Sequence, residues 1–353
     1  MSSPLICGIQ QIGVGNNDVY GTFKWYHKNL GMDVKIFDEE AMAEMMLPYT
    51  GGEPRGRHAI LALNMQGGGG LEIWQYTTRT PEAPKFEVQL GDLGIFIMKF
   101  KCKDVAATYQ SMKANGVELV GDVHTTPDGN QHFYYKDLHG NYGEIVGSNS
   151  WFRKNDCPTG GVYGCTIGVT NIEKARKVYS DILGYDEVLF DETGTFKDFE
   201  AISGGQYEFR RVLLTHSKER VGAFSKLLGK SHIELVQVKN RAPRKIFENR
   251  FWGDLGYIHL CFDINGMDDL RKLCASKGHP FTADSSDSFD MGEAAGHFSY
   301  IEDPDGTLIE FVETHKVPIL KKLNWYMDLR KRDPQKALPT WMVRALGFNR
   351  VKV

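Results

Sequence analysis

The run GYIHLCFDI, residues 256–264, places one imidazole at the centre of an otherwise apolar, strand-like segment. His259 is either a core histidine hydrogen-bonded to a backbone carbonyl or a metal ligand. Its neighbours in the pattern bear on that choice. Glu234, in HIELVQV (232–238), lies 25 residues before His259, and the same interval separates Glu72, in LEIWQY (71–76), from Ile97. Glu310 follows a D-P-D-G turn, five residues after Asp305. Side chains alternate faces along a strand, so His232 and Glu234 should point the same way. Burying Glu234 and Glu310 without a cation would cost several kcal/mol apiece, so a metal or a basic side chain is required beside them.

The elements that must carry these residues are repeated along the chain. IQQIGVGNNDVYGTFKWYHKNLGMDV (9–34) matches VYGCTIGVTNIEKARKVYSDILGYDEV (162–188). Asp18 to Tyr26 and Asn171 to Tyr179 are both eight residues, and each Tyr precedes a Leu by four. Period-two apolar residues predict a strand, the Asp or Asn caps a helix, and a Gly stops it. A second kind of unit is also duplicated, IFIMKFKCKDVAATYQSMKANGVEL and IHLCFDINGMDDLRKLCASKGHPF, closing on DLHGNYGEIVG (137–147) and DPDGTLIEFVE (303–313). The chain therefore reads as four βαβββ modules in two pairs, joined by a Pro- and Gly-bearing linker at 149–161.

With 353 residues, 41% hydrophobic and 25% charged, the chain has the make-up of a two-domain globular protein. A net charge of −3 gives no general case for nucleic acid or an acidic membrane. The charge is uneven, however: ten Lys and Arg against two Asp from Lys316 onward make the tail +8 and the remainder −11. Six scattered cysteines without a C-x-x-C pair are expected to be reduced and buried, as in a cytoplasmic protein. The N-terminus lacks the features of a signal peptide, and no window approaches the roughly 18 apolar residues of a membrane span.

Paired βαβββ modules with a D-P-D-G-x-x-x-E close resemble the vicinal oxygen chelate superfamily. That superfamily includes glyoxalase I, extradiol dioxygenases, methylmalonyl-CoA epimerase and the fosfomycin and bleomycin resistance proteins. The resemblance spans about residues 5 to 315 and implies an α+β fold of four modules paired into two domains, 1–150 and 160–315; the basic tail, 316–353, lies outside it and is read as helical from its own apolar stripe. In this family two modules form an incompletely closed eight-stranded cleft, and up to four inward-facing residues hold a divalent metal. Carried over, those positions are Gln11, Glu72, Ile97 and Glu144 in the first half, and Gly164, Glu234, His259 and Glu310 in the second.

The resemblance thus implies one divalent ion (Zn, Fe, Mn or Ni) in the second cleft, bound by His259, Glu310 and Glu234. His232 would stand in for the side chain that Gly164 lacks, unless Gly164 leaves a coordination position open. In the first half Ile97 cannot ligate. Lys99, on the same face, either neutralises Glu72 or Glu144 or sits in water at the cleft rim. The implied function is a glyoxalase-like isomerase or lyase acting on a small oxygen-chelating substrate through an enolate, with Glu234 or Glu310 moving the proton. An Fe(II) dioxygenase of the extradiol or hydroxyphenylpyruvate type is the alternative, needing His232 as a second imidazole. A non-catalytic, antibiotic-binding protein is a third. The partner expected is a small molecule, with no nucleic acid and no membrane. QGGGG (66–70) reads as a hairpin turn, 284–297 as a surface loop or a lid, and the stripe Ile319, Leu320, Leu323, Tyr326, Met327 as a helix packed on the acidic domains.

Overall fold

The structure is a computed structural model and describes residues 4–154, 157–286, 289–291, 294–320 and 325–352. Four modules follow one another. The first comprises β1 (Leu5–Asn16), α1 (Val19–Leu30), β2 (Val34–Met42), β3 (Gly56–Leu63) and β4 (Gly70–Tyr76). The second comprises β5 (Gly94–Cys102), α2 (Val105–Ala114), β6 (Glu118–Thr125), β7 (Gln131–Lys136) and β8 (Tyr142–Gly147). The third comprises β9 (Thr159–Gly168), α3 (Ile172–Tyr179), β10 (Glu187–Gly194), β11 (Phe209–Thr215), the single turn α4 (Ser225–Leu228) and β12 (His232–Val238). The fourth comprises β13 (Gly256–Asn265), α5 (Met267–Ser276), β14 (Ala283–Asp284), β15 (Phe289–Met291), β16 (Ala294–Glu302) and β17 (Leu308–Thr314).

Helix starts follow local chemistry. The Asp18 and Asn171 side chains accept from the backbone N–H of Gly21 and Lys174, capping α1 and α3. Gly31, at φ 64°, ends α1 in the left-handed region. The spacing that repeats between Asp18–Tyr26 and Asn171–Tyr179 has a structural purpose. Tyr26 donates to Asp137 Oδ2 at 2.8 Å and Tyr179 to Asp303 Oδ2 at 2.9 Å, each tying a helix to the closing turn of the next module. The other oxygen of each Asp accepts backbone N–H groups of its own turn.

The modules make two sheets, and neither sheet comes from a contiguous half. One runs β14-β16-β17-β13-β1-β4-β3-β2, with β15 added beside β16, and so joins the fourth module to the first. The other runs β10-β11-β12-β9-β5-β8-β7-β6 and joins the third to the second. The division 1–150 and 160–315 describes which modules pack through the Tyr–Asp bonds; the clefts form across it. The junctions are the antiparallel pairs β1·β13 and β5·β9, which place opening strand against opening strand and leave neither as a bare edge.

Two glycines show how tight these junctions are. A Cβ on Gly13 would lie 2.4 Å from the His259 ring, so this glycine makes the room the imidazole fills. Gly164 has φ +155°, and a Cβ there would lie 1.9 Å from the His232 carbonyl oxygen. The ligand position lost at Gly164 is therefore set by the close approach of β12. The glycines of 66–70 form a turn locked to the other half, with Gly69 and Val162 exchanging backbone hydrogen bonds at 2.8 Å. Among the described residues no cysteine is joined to another in a disulfide.

The tail carries the expected C-terminal helix, α6 (Thr340–Ala345), but not on the apolar stripe. There β18 (Lys316–Leu320) pairs antiparallel with β19 (Trp325–Asp328). Val317 and Ile319 are β-branched and Pro318 supplies no N–H, which favours extended chain over helix. Leu323 lies outside the described residues, as do 287–288 and 292–293 of the candidate lid.

Replacing Gly164 with Ala should destabilise the protein by about 3 kcal/mol in urea unfolding, through both backbone strain and the clash with β12. A cost below about 0.5 kcal/mol would show that β12 yields freely at this point.

Candidate metal centre

Register alone brings four side chains to one place. On β1, Gln11 is aligned with Gly70 and Gly13 with Glu72 of β4; across the junction, Gly13 faces His259 of β13. Cys261, two residues on, is aligned with Glu310 of β17. Gln11, Glu72, His259 and Glu310 thus converge from four adjacent strands, and all four are buried.

His259 Nε2 lies 3.2 Å from Glu72 Oε2 and 3.1 Å from Glu310 Oε2, while Gln11 Nε2 donates to Glu72 Oε2 at 3.3 Å. The histidine contacts are close enough for ion pairs but are not aligned as hydrogen bonds. Gln11 Oε1, both ring nitrogens of His259 and Glu310 Oε2 are buried without a hydrogen-bond partner. Unsatisfied buried polar atoms are uncommon, and a cluster of them aimed inward is the arrangement of ligand atoms around a cation. One ligand atom each from Glu72, His259 and Glu310 fall within 4.8 Å of one another.

Burial pushes the His259 imidazolium toward losing its proton, but Glu310 and then Glu72 outweigh it and hold the pKa up at about 10. Burial likewise raises Glu310, and His259 more than reverses that. An imidazolium and a metal cation are competing answers to the same pair of buried carboxylates. Around them the wall is aromatic. Trp252 stacks along His259 at 6.2 Å between ring centroids, and Tyr300 meets it edge-on at 5.8 Å. Trp74, Ile258 and Phe298 extend this apolar surface.

The second sheet repeats the geometry with different residues. Here Gly164 is aligned with His232, Thr166 with Glu234 and with Ile97, and Lys99 with both Gly164 and Glu144. Ile97 therefore occupies the place of His259, Gly164 that of Gln11, and Lys99 that of Cys261. The Lys99 ammonium is 2.6 Å from Glu234 and also bonds Glu144. Arg211 bonds the other oxygen of Glu234 and reaches Asp198 at 2.7 Å. The His132 ring lies between Glu144 and Asp198. Burial would raise Glu234, but Arg211 and Lys99 hold it well below the usual carboxylate range. Phe199, Ile202 and Phe209 pack into this cleft from the chain itself.

The residues put forward from sequence consequently part company. His259 and Glu310 come together, joined by Gln11 and Glu72 of the first module. Glu234 lies in the other sheet with both carboxylate oxygens engaged by Lys99, Thr166 and Arg211. His232 is buried there as well, its Nε2 3.4 Å from the Tyr163 hydroxyl. Burial and then Lys99 push its pKa down to about 3, so it is a neutral ring. Lys99, for which a water-exposed rim was an alternative, is buried between two carboxylates. Arg211, Asp198 and His132 were not picked out in the sequence. The doubled Arg of FRRVLLT was the available signal, because an apolar strand seldom turns a charge inward.

Replacing Lys99 with Met should cost about 3–5 kcal/mol, since it leaves Glu144 and Glu234 short of a buried counter-charge. The pH dependence supplies the sign. In the parent both carboxylates titrate below their ordinary 4.5, so their stabilisation is present above that value and is lost as pH falls below it. In the variant their pKa values rise, and the stability deficit should shrink as pH falls from 7 to 5. A deficit that is constant over that range in urea unfolding would contradict this charge assignment.

The model of the Glyoxalase/Bleomycin resistance protein/Dioxygenase superfamily matches residues 8–145 and again 163–311. No curated protein matches the sequence. Among solved structures, a candidate dioxygenase from Bacillus subtilis is similar with a TM-score of 0.55 at 15% identity, over 88% of this chain and 86% of that one. Glyoxalase I from Zea mays is similar with a TM-score of 0.52 at 12% identity, over 88% of this chain and 92% of that one. At these identities the structural likeness speaks for the fold. The twofold match over most of the sequence places the chain in the glyoxalase/bleomycin resistance/dioxygenase superfamily.

Proposed function

We propose that this chain is a metal-dependent isomerase or lyase of the glyoxalase type, acting on a small substrate with two adjacent oxygens through an enolate. Gln11, Glu72, His259 and Glu310 are the proposed ligands of one divalent ion. The observation that carries the reading is that Glu72 and Glu310 converge on His259 with no lysine or arginine pairing them among the described residues, while Gln11, His259 and Glu310 keep buried polar atoms unpartnered. The donor set fits such an ion: two carboxylates balance its charge, and an imidazole nitrogen and an amide oxygen complete the set for Zn, Fe, Mn or Ni. Bound there, the ion would supply Lewis acidity toward the substrate oxygens.

The protein's own groups have separate tasks. Glu310 is the proposed proton carrier, with Glu72 on the other side of His259 as its counterpart. In the ion-free cleft Glu310 is held ionised by His259 first and also by Cys261 and Tyr300; a bound cation would favour the same carboxylate form, the form that accepts a proton. Trp252, Tyr300 and Trp74 exclude water and offer an apolar surface to the substrate's hydrocarbon part. Glu234 has no part in this scheme, because its charge is already balanced.

The dioxygenase reading is less well supported. It requires two imidazoles with one carboxylate, whereas the proposed set has a single imidazole and His232 pairs with Tyr163. A purely sequestering protein would not need two carboxylates drawn together at the floor of its cleft.

Elemental analysis of the purified protein should find about one divalent metal per chain, and equilibrium dialysis should show it lost from His259→Ala. Loss of one ligand weakens binding by orders of magnitude. His232→Ala and Glu234→Gln, wherever they fold, should keep the stoichiometry. Full retention in His259→Ala, or loss in His232→Ala, would overturn the ligand assignment.

Glu310→Gln should slow solvent deuterium exchange at the hemithioacetal carbon, next to the carbonyl, of 2-oxoaldehyde–thiol adducts. The expected loss is about 10²–10⁴-fold, followed by NMR. Exchange at the parent rate would remove Glu310 from the proton-moving role.

A further inference from the structure

A cavity of about 550 Å³ lies away from both clefts, between the interdomain linker, the loop that follows β11, and α4. Its size is in the range of small-molecule sites. Five lysines and arginines line it against two glutamates, in a chain whose net charge is negative. The excess alone would be an ordinary basic surface, but one of the five is not at the surface.

Lys101, on β5, is only 1% exposed. Among the described residues its ammonium donates one hydrogen bond, to the Ser150 carbonyl at 2.7 Å, and lies 5.1 Å from the centre of the Trp151 ring. It forms no ion pair with a described carboxylate. Lys99, two residues earlier, is equally buried but has two carboxylates. An ammonium carries three donors, and burying it without an anion costs several kcal/mol. Burial accordingly pushes Lys101 down to about 7.

A second buried group faces the same cavity with an unfilled valence. His216 Nδ1 is 2.8 Å from the Lys218 carbonyl, which makes Nδ1 the donor and Nε2 an acceptor. Nε2 is buried and has no partner. Arg220 and Lys230 bring further positive charge to the wall, and Lys230 has no ion pair among the described residues. A bound molecule would need negative charge for Lys101 and its neighbours, with a hydroxyl for His216.

We propose that this cavity is a binding site for a small polyanion of phosphate or polycarboxylate type, anchored by Lys101 at its floor and by Lys230 at its mouth. The anion completes the donors of Lys101, and a protonated oxygen of the ligand donates to His216 Nε2. Neither contact involves the metal-centre residues, so this site is independent of the proposed catalytic one.

Titration calorimetry with inorganic pyrophosphate and, separately, citrate, at ionic strength fixed with NaCl, tests the proposal. At least one of the two should bind one-to-one, and which one binds distinguishes the phosphate from the polycarboxylate source. Lys101→Met should weaken that binding at least tenfold, and Lys230→Glu should do the same, while Lys113→Met, on the exposed face of α2, should leave it unchanged. Should Lys101→Met fail to fold by circular dichroism, Lys230→Glu alone decides. Absence of binding by both anions, or equal affinities in the parent and the Lys230→Glu and Lys101→Met variants, would overturn the proposal.

Discussion

Two carboxylates brought face to face inside a sheet must be matched by positive charge, and this chain meets that requirement twice by different means. In one sheet Glu72 and Glu310 are drawn to His259, with Gln11 alongside, and the surrounding polar atoms are left without partners. In the other, Glu144 and Glu234 are closed upon Lys99 and Arg211. The cost of an unpaired buried charge explains why the second arrangement sets two basic side chains against its two carboxylates and also draws in Thr166 and His132, although the His132 nitrogens, Glu144 Oε1 and Arg211 Nη2 keep no hydrogen bond. The same cost explains why the first arrangement reads as a place for a cation. One duplicated geometry thus yields a cleft proposed to hold a cation and a cleft whose carboxylates are paired with basic side chains.

The clefts depend on a pairing that joins the ends of the chain. β1 meets β13 and β5 meets β9, so the candidate centre takes Gln11 and Glu72 from the first module and His259 and Glu310 from the fourth. The helices tie the modules in the other sense, through Tyr26 to Asp137 and Tyr179 to Asp303. Each module is held to one neighbour by its sheet and to another by its helix. This cross-bracing suits a site whose ligand atoms must keep their places without being bonded to one another.

Much of this was legible in the sequence. The repeated intervals, the capping Asp18 and Asn171, the D-x-x-G turns and the four modules could be read because each rests on residues close together in the chain. The inward-facing positions were also available: Gln11, Glu72, Glu144, Glu234, His259 and Glu310 all appear in the aligned strands. Which four belong to one cleft was not available, because spacing reports register within a module and says nothing of which opening strands pair. His232 illustrates the limit. It does share the run of Glu234, but that run lies in the other sheet from His259. The pairing of 316–320 with 325–328 was hidden for a different reason, since an apolar stripe at helical spacing also fits two short paired strands.

The central claim is that one cleft holds a cation and the other has replaced it with a lysine. Anomalous diffraction from a crystal soaked with Mn²⁺ or Zn²⁺ examines both clefts at once. The account predicts a single strong peak among Gln11, Glu72, His259 and Glu310 and none between Glu144 and Glu234. A peak beside Lys99, or no peak at His259, would contradict it.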